Sequence, residues 1–196
     1  MPETFGNFTF TPTAIPEVRV VDCKSFGDSR GSFVETYKRP DFVSGGIDDV
    51  FVQDNQSSSV KGVLRGLHFQ IEHPQAKLVR VLEGKVFDVC VDLRAGSPTF
   101  GKWEWIVLSS ESHQQFYIPK GFAHGFYVLS DTAVFAYKCD DVYRPNDEGG
   151  IRWDDPVIGV EWPLVDGEAP VLSEKDRNHP SFEQWCASRG ITLRAQ

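Results

Sequence analysis

The chain of 196 residues is poor in what metal knuckles, redox dithiols and polyanion binders need. Its four cysteines, Cys23, Cys90, Cys139 and Cys186, lie far apart and include no CxxC pair, so neither a zinc knuckle nor a redox dithiol is indicated. Buried structural thiols are the expectation for them. Basic residues are outnumbered, 20 Lys and Arg against 28 Asp and Glu, for a formal charge of −8. That balance argues against a nucleic-acid backbone or an anionic membrane surface as the main partner. An anionic small molecule stays open wherever positive side chains converge. No apolar run approaches the roughly 20 residues of a membrane-spanning helix. The start, Met1-Pro2-Glu3-Thr4, lacks the basic and apolar stretches of a signal peptide, so a cytoplasmic protein is expected. With no repeat, low-complexity tract or linker, residues 1–196 are expected to form one domain.

Turn formers and aromatics are abundant: 17 Gly, 12 Pro, 15 Phe, 5 Trp and 5 Tyr. This favours short strands and tight turns over a helix bundle. Strand-length runs fall at Ser32–Tyr37, Val50–Gln53, Gly66–Gln70, Leu78–Leu82, Lys85–Leu93, Trp103–Leu108, Gln115–Ile118, Gly125–Leu129 and Ala133–Cys139. Turn chemistry separates them, as at Glu83-Gly84, Ala95-Gly96-Ser97-Pro98 and Pro119-Lys120-Gly121. The pattern predicts an all-β antiparallel sandwich or jelly roll. Residues 1–16 read as an N-terminal arm, the stretch after Tyr143 as an irregular wrap, and Pro180–Arg189 as a short C-terminal helix.

Chemistry concentrates in two segments. In Gly62-Val63-Leu64-Arg65-Gly66-Leu67-His68-Phe69-Gln70, strand alternation puts Gly66, His68 and Gln70 on one face and Leu67 and Phe69 on the other. Pro119-Lys120-Gly121-Phe122-Ala123-His124 supplies a second histidine just after a turn. Together these are similar to the two motifs of the cupin superfamily, whose jelly rolls commonly hold a metal on three His and one Glu. The donor set departs from that pattern, with Gln70 in place of the second His and Lys77 in place of the Glu ahead of Gly84. A protonated lysine is no metal ligand and repels a cation, so a fixed positive charge is read here in place of a metal.

A closer resemblance spans nearly the whole chain. Asp28-Ser29-Arg30-Gly31-Ser32-Phe33-Val34-Glu35, Gln53-Asp54-Asn55, Arg65-Gly66-Leu67-His68, Lys77-Leu78-Val79-Arg80, Phe122-Ala123-His124-Gly125-Phe126, Tyr137-Lys138 and Ser173-Glu174-Lys175-Asp176 resemble segments of the dTDP-4-dehydrorhamnose 3,5-epimerases. The resemblance implies a jelly-roll homodimer without metal or cofactor, acting on a dTDP-linked 4-keto-6-deoxyhexose. It implies His68 as the base, Asp176 as its carboxylate partner and Tyr137 as the opposing acid, while Lys77 stabilises the enolate. It also implies a binding set of Arg30, Glu35, Gln53, Asp54, Asn55, Arg65, His124, Glu148 and Lys175, with Lys77 touching substrate as well. Arg30 and Glu35 are expected to serve the partner subunit's nucleotide site. His73, His113 and His179 receive no role. The competing readings are a single-carbon epimerase or 3,4-ketoisomerase of another deoxysugar pathway, a metal-dependent cupin oxygenase or isomerase, and a non-catalytic sugar-binding module.

Overall fold

The structure is a computed structural model and describes residues 1–193. Its strands are β1 (Glu3–Phe5), β2 (Phe8–Pro12), β3 (Arg19–Cys23), β4 (Ser25–Asp28), β5 (Gly31–Val34), β6 (Gln53–Val60), β7 (Leu64–Gln70), β8 (Lys77–Glu83), β9 (Lys85–Asp92), β10 (Trp103–Ser109), β11 (Gln114–Ile118), β12 (Phe122–Val128), β13 (Thr132–Cys139) and β14 (Glu148–Gly150). The helices are short: α1 (Arg39–Ser44), α2 (Glu174–Arg177) and α3 (Phe182–Ser188). Seven strands form one sheet in the order β1-β2-β3-β11-β8-β13-β6, and five form a second in the order β10-β9-β12-β7-β14. Among the described residues, strands β4 and β5 pair only with each other.

The interior between the two large sheets is apolar. Val79 and Val81 of β8, Phe116 of β11, Phe126 and Val128 of β12 and Phe135 of β13 pack there, all buried. Phe126 and Phe135 stack across the gap with ring centroids 4.2 Å apart. Each such ring, removed from water, stabilises the fold by roughly 1.5–3 kcal/mol. The outer faces are covered as well. Leu67 and Phe69 point away from the interior, as the alternation predicts, and pack under the C-terminal wrap with Ile151, Ile158 and Phe182. On the opposite side Phe8, Phe10 and Val21 pack with Phe42 of α1.

Several local expectations needed correction. The arm is a hairpin, β1 and β2, that extends the larger sheet and buries Phe8 and Phe10 completely. Val50–Val52 lies outside the sheets, and the strand there begins at Gln53 and runs to Val60. The sequence Gln-Asp-Asn-Gln-Ser-Ser-Ser carries no hydrophobic signal, yet backbone pairing with β13 over eight residues makes it a strand. Helices α1 and α2 were not foreseen. The C-terminal helix is shorter than the segment Pro180–Arg189, starting after Ser181, whose hydroxyl accepts from Gln184 N while the Gln184 carboxamide accepts from Ser181 N.

Close contact between β7 and β12 positions the two histidines of the motifs. A Cβ on Gly66 would fall 2.6 Å from Gly125 Cα, and one on Gly125 would fall 2.8 Å from the Arg65 carbonyl oxygen. Only glycines allow that approach. His68 and His124 are thereby register partners on adjacent strands.

Candidate active site

A cavity of about 320 Å³ opens at one end of the sandwich, lined by residues of both large sheets. The smaller sheet contributes His68 and Gln70 from β7 and Glu148 from β14; the larger contributes Gln53 and Asn55 from β6, Lys77 from β8 and Tyr137 from β13. A second chamber of about 180 Å³ shares His68, Lys77 and Tyr137 and adds Arg65, His124 and Ser57. Residues separated in sequence meet because both facing sheets turn polar side chains inward at the open end.

His68 Nε2 lies 2.5 Å from Asp176 Oδ1, where Asp176 is 4% exposed on α2. Ser173, the residue before α2, donates its hydroxyl to Asp176 Oδ2 at 2.7 Å and accepts from the Asp176 backbone N–H. Burial works against the Asp176 charge, but the imidazoles of His179 and His68 and the Ser173 hydroxyl outweigh it. They hold the carboxyl well below the usual carboxylate range. With Nε2 engaged, Nδ1 is the His68 nitrogen left to act on a ligand.

Deeper in, a second pair forms. His124 Nε2 is 3.1 and 3.0 Å from the two oxygens of Asp88, a residue with no exposed surface. Burial pushes the His124 imidazolium down, against the pull of Asp88, which favours a neutral ring donating Nε2–H to the carboxylate. Burial also lowers the Lys77 ammonium, while Cys139, Asp88 and Glu148 pull it back up. The Tyr137 phenol is pushed up by burial, with Arg65 opposing, which favours its protonated form.

Around the rim, Glu148 accepts from Tyr143 Oη at 2.6 Å and pairs with Lys175. Gln53 donates to Asn55 at 3.0 Å and accepts from the Tyr143 backbone N–H at 2.8 Å. Arg65 is exposed and donates Nε to Ser59. Three expected binding residues lie outside this cavity. Asp54 points to the opposite face of β6 from Gln53 and Asn55 and pairs with Lys138 at 2.8 Å. Arg30 sits at the tip of the β4–β5 hairpin, 88% exposed and paired with Asp28. Glu35, just beyond β5, accepts from Asn7.

The cupin metal set does not fit here. Gln70 is occupied at both ends of its carboxamide by the Arg144 backbone, and a protonated Lys77 is a cation with no lone pair to offer a metal. Sequence reasoning missed Asp88 and His179. Asp88 had a signal: a lone carboxylate in the run Val86-Phe87-Asp88-Val89-Cys90-Val91, sharing an inward face with Val86 and Cys90. His179, expected in polar loop surroundings, is instead 9% exposed and lies beside the His68–Asp176 pair.

A jelly roll whose metal position holds a lysine, flanked by a carboxylate-bound histidine and a phenol, defines a class of cupins that isomerise nucleotide-linked keto sugars by moving protons. The family profile described as dTDP-4-dehydrorhamnose 3,5-epimerase matches residues 12–184, and the chain belongs to that family of isomerases. It is 50% identical over 173 residues to the dTDP-4-dehydrorhamnose 3,5-epimerase of Methanothermobacter thermautotrophicus, spanning 88% of this chain and 94% of the relative. The 3,5-epimerase of Legionella pneumophila, solved in complex with dTDP-4-keto-L-rhamnose, superimposes with a TM-score of 0.89 at 49% identity, covering 96% of this chain and 100% of that one. A 3′-monoepimerase of Streptomyces bikiniensis, solved with dTDP-quinovose, superimposes at 0.83 with 32% identity, covering 92% and 90%.

Proposed function

We propose that this chain converts dTDP-4-dehydro-6-deoxy-D-glucose to dTDP-4-dehydro-L-rhamnose by inverting C3 and C5. The observation that carries the mechanism is the 2.5 Å bond between His68 Nε2 and the buried Asp176, in a cavity shared with Lys77 and Tyr137. The protons at C3 and C5 flank the C4 ketone. His68 Nδ1 takes one of them, the electron pair moves into the ring as an enolate, and negative charge gathers on O4. Asp176 stabilises the imidazolium that results and fixes which nitrogen is free. An imidazole alone is poorly matched to so weak a carbon acid, so stabilising the oxyanion must supply much of the rate. Lys77, backed by the His124–Asp88 pair, is the preorganised donor for O4. Tyr137 then delivers its phenolic proton to the opposite face of the carbon and recovers one from water. The sequence repeats at the second carbon after His68 has released its first proton.

The nucleotide end draws on two kinds of support. Arg65, Gln53, Asn55, Glu148 and Lys175 surround the cavity of this chain. The β4–β5 hairpin leaves Phe33 68% and Phe26 42% exposed, and a two-stranded hairpin standing alone is marginal in water. A second copy of the chain that covered it would place Arg30 and Glu35 at the partner's diphosphate and nucleoside, where a guanidinium fork suits phosphate oxygens. No helix among the described residues is long and apolar enough to cross a membrane.

The test is proton NMR of the protein with dTDP-4-dehydro-6-deoxy-D-glucose in deuterium oxide. Loss of both the C3 and C5 signals is expected, and a His68→Ala variant should preserve both. Label entering one carbon alone would replace this reading with a single-carbon epimerase.

A further inference from the structure

His179 has no task in the chemistry above, yet its surroundings are built for it. It lies two residues beyond α2, with its ring against Gly150: a Cβ at position 150 would fall 2.3, 2.4 and 2.5 Å from three of its ring atoms. Glycine there makes the space the imidazole fills. Gly150 is the register partner of His68, and the His68 and His179 ring centroids are 5.4 Å apart. His179 Nε2 is 3.6 Å from Asp176 Oδ1, the same oxygen that His68 binds at 2.5 Å. It is buried and has no hydrogen-bond partner. A small movement closes it onto Oδ1.

Two imidazoles on one carboxylate oxygen compete for its charge. Whether His179 offers a neutral N–H or is itself protonated, it draws negative charge away from His68 and weakens the grip of Asp176 on a His68 imidazolium. We propose that His179 is a positioning residue that shares Asp176 Oδ1 with His68 and so sets how readily the base gives up the proton it has taken. This rests on the double epimerisation proposed above, in which His68 must be emptied between two abstractions. An aspartate held by His68 alone would hold that proton more tightly.

Other ionisable groups face the dyad: Lys77 on β8, His124 on β12, Tyr137 on β13, Glu148 on β14, Lys175 on α2, and Tyr143 and Arg65 at the rim. They are common to every variant used here, so a change confined to position 179 isolates its effect. His179→Phe keeps a ring in the space beside Gly150 and removes the donor; His179→Gln keeps a donor. The acidic limb of the kcat/KM profile for C3 exchange should move to higher pH in the Phe variant. At pH 6 activity should fall about three- to tenfold, with little change at pH 8, because half to one unit of displacement corresponds to that ratio. The Gln variant should follow the wild-type profile. A uniform loss at all pH values, an unchanged profile in the Phe variant, or a Gln variant that tracks Phe would overturn the proposal.

A second readout needs no turnover. In the free protein, the NMR titration midpoint of the His68 ring should rise in His179→Phe and stay at the wild-type position in His179→Gln. An unmoved Phe midpoint, or a displaced Gln midpoint, refutes the role. This holds even if the wild-type protein exchanges no label, an outcome that would overturn the assigned reaction instead. Should the Phe variant fail to fold, His179→Leu, which also lacks a donor, takes its place, and an unmoved midpoint there refutes the role.

Discussion

Replacing Asp176 by Asn removes one negative charge and leaves the side-chain shape almost unchanged, which makes it the sharpest test of the dyad. In the native site Oδ1 meets His68 at 2.5 Å and Oδ2 accepts from Ser173 at 2.7 Å, with 4% of the side chain exposed. A hydrogen bond involving a charged group contributes about 1.5–3 kcal/mol net, of which a neutral amide recovers only part. The larger effect is on the tautomer. An Asn amide donating to His68 Nε2 would force the ring proton onto Nδ1, the nitrogen that must be bare to accept from carbon. In serine hydrolases the equivalent change costs about 10⁴ in kcat. Since Lys77 and Tyr137 remain in place here, a fall of about 10²–10⁴ in kcat with little change in KM is expected. The assay is the rate of loss of the C3 and C5 proton signals in deuterium oxide, run beside a thermal melt. Stability has its own sign. The native carboxyl is depressed, so its contribution is complete above the unfolded value of about 3.9 and is lost as pH falls through the lower folded value. The variant should therefore melt lower than wild type at neutral pH, the gap narrowing in acid. A folded Asp176→Asn protein with kcat within about tenfold of wild type would refute the dyad argument.

Lys77→Met keeps the length of the side chain and removes the cation; a loss of about 10²–10³ in kcat is expected, with exchange at both carbons slowed together, whereas loss at one carbon alone would mean the lysine is not a common oxyanion donor. Tyr137→Phe should leave deuterium entering the sugar while abolishing inversion, because abstraction persists without the opposing acid; a variant that still inverts at the wild-type rate identifies another donor. Phe135→Ala empties a fully buried position between Phe126 and His124 and should cost about 3–5 kcal/mol in denaturant unfolding; a cost below about 1 kcal/mol would show that the two sheets close over the gap. Mixing His68→Ala, inactive alone, with Arg30→Ala, weakened alone, should restore activity if the hairpin serves the partner's site, and no recovery after subunit exchange would confine each site to one chain.

Composition and periodicity were enough for an all-β antiparallel sandwich or jelly roll, because turn chemistry and strand alternation are local and repeat along the chain, while the cupin jelly roll rested on the resemblance of its motifs. Leu67 and Phe69 could be placed opposite His68 and Gln70 from their spacing alone, and Lys77 could be read against the metal pattern by its residue type. The strand Gln53–Val60 and the hairpin burying Phe8 and Phe10 could not, since what makes them strands is backbone bonding to β13 and β3, not their own hydrophobic pattern. The site divides along the same line. Which residues can take a proton, hold a charge or bind phosphate is a property of side-chain chemistry and is legible at each position. Which of them meet is a matter of tertiary geometry. His68 meets Asp176 over 108 residues of separation, and the same fold brings His179 to 3.6 Å from the same carboxylate oxygen and hides Asp88 beneath His124. It carries Asp54 and Arg30 out of the two adjoining chambers that Gln53 and Arg65 line. Distance through space, burial and competition for one oxygen arise only when the sheets close, and they decide how this histidine holds its proton.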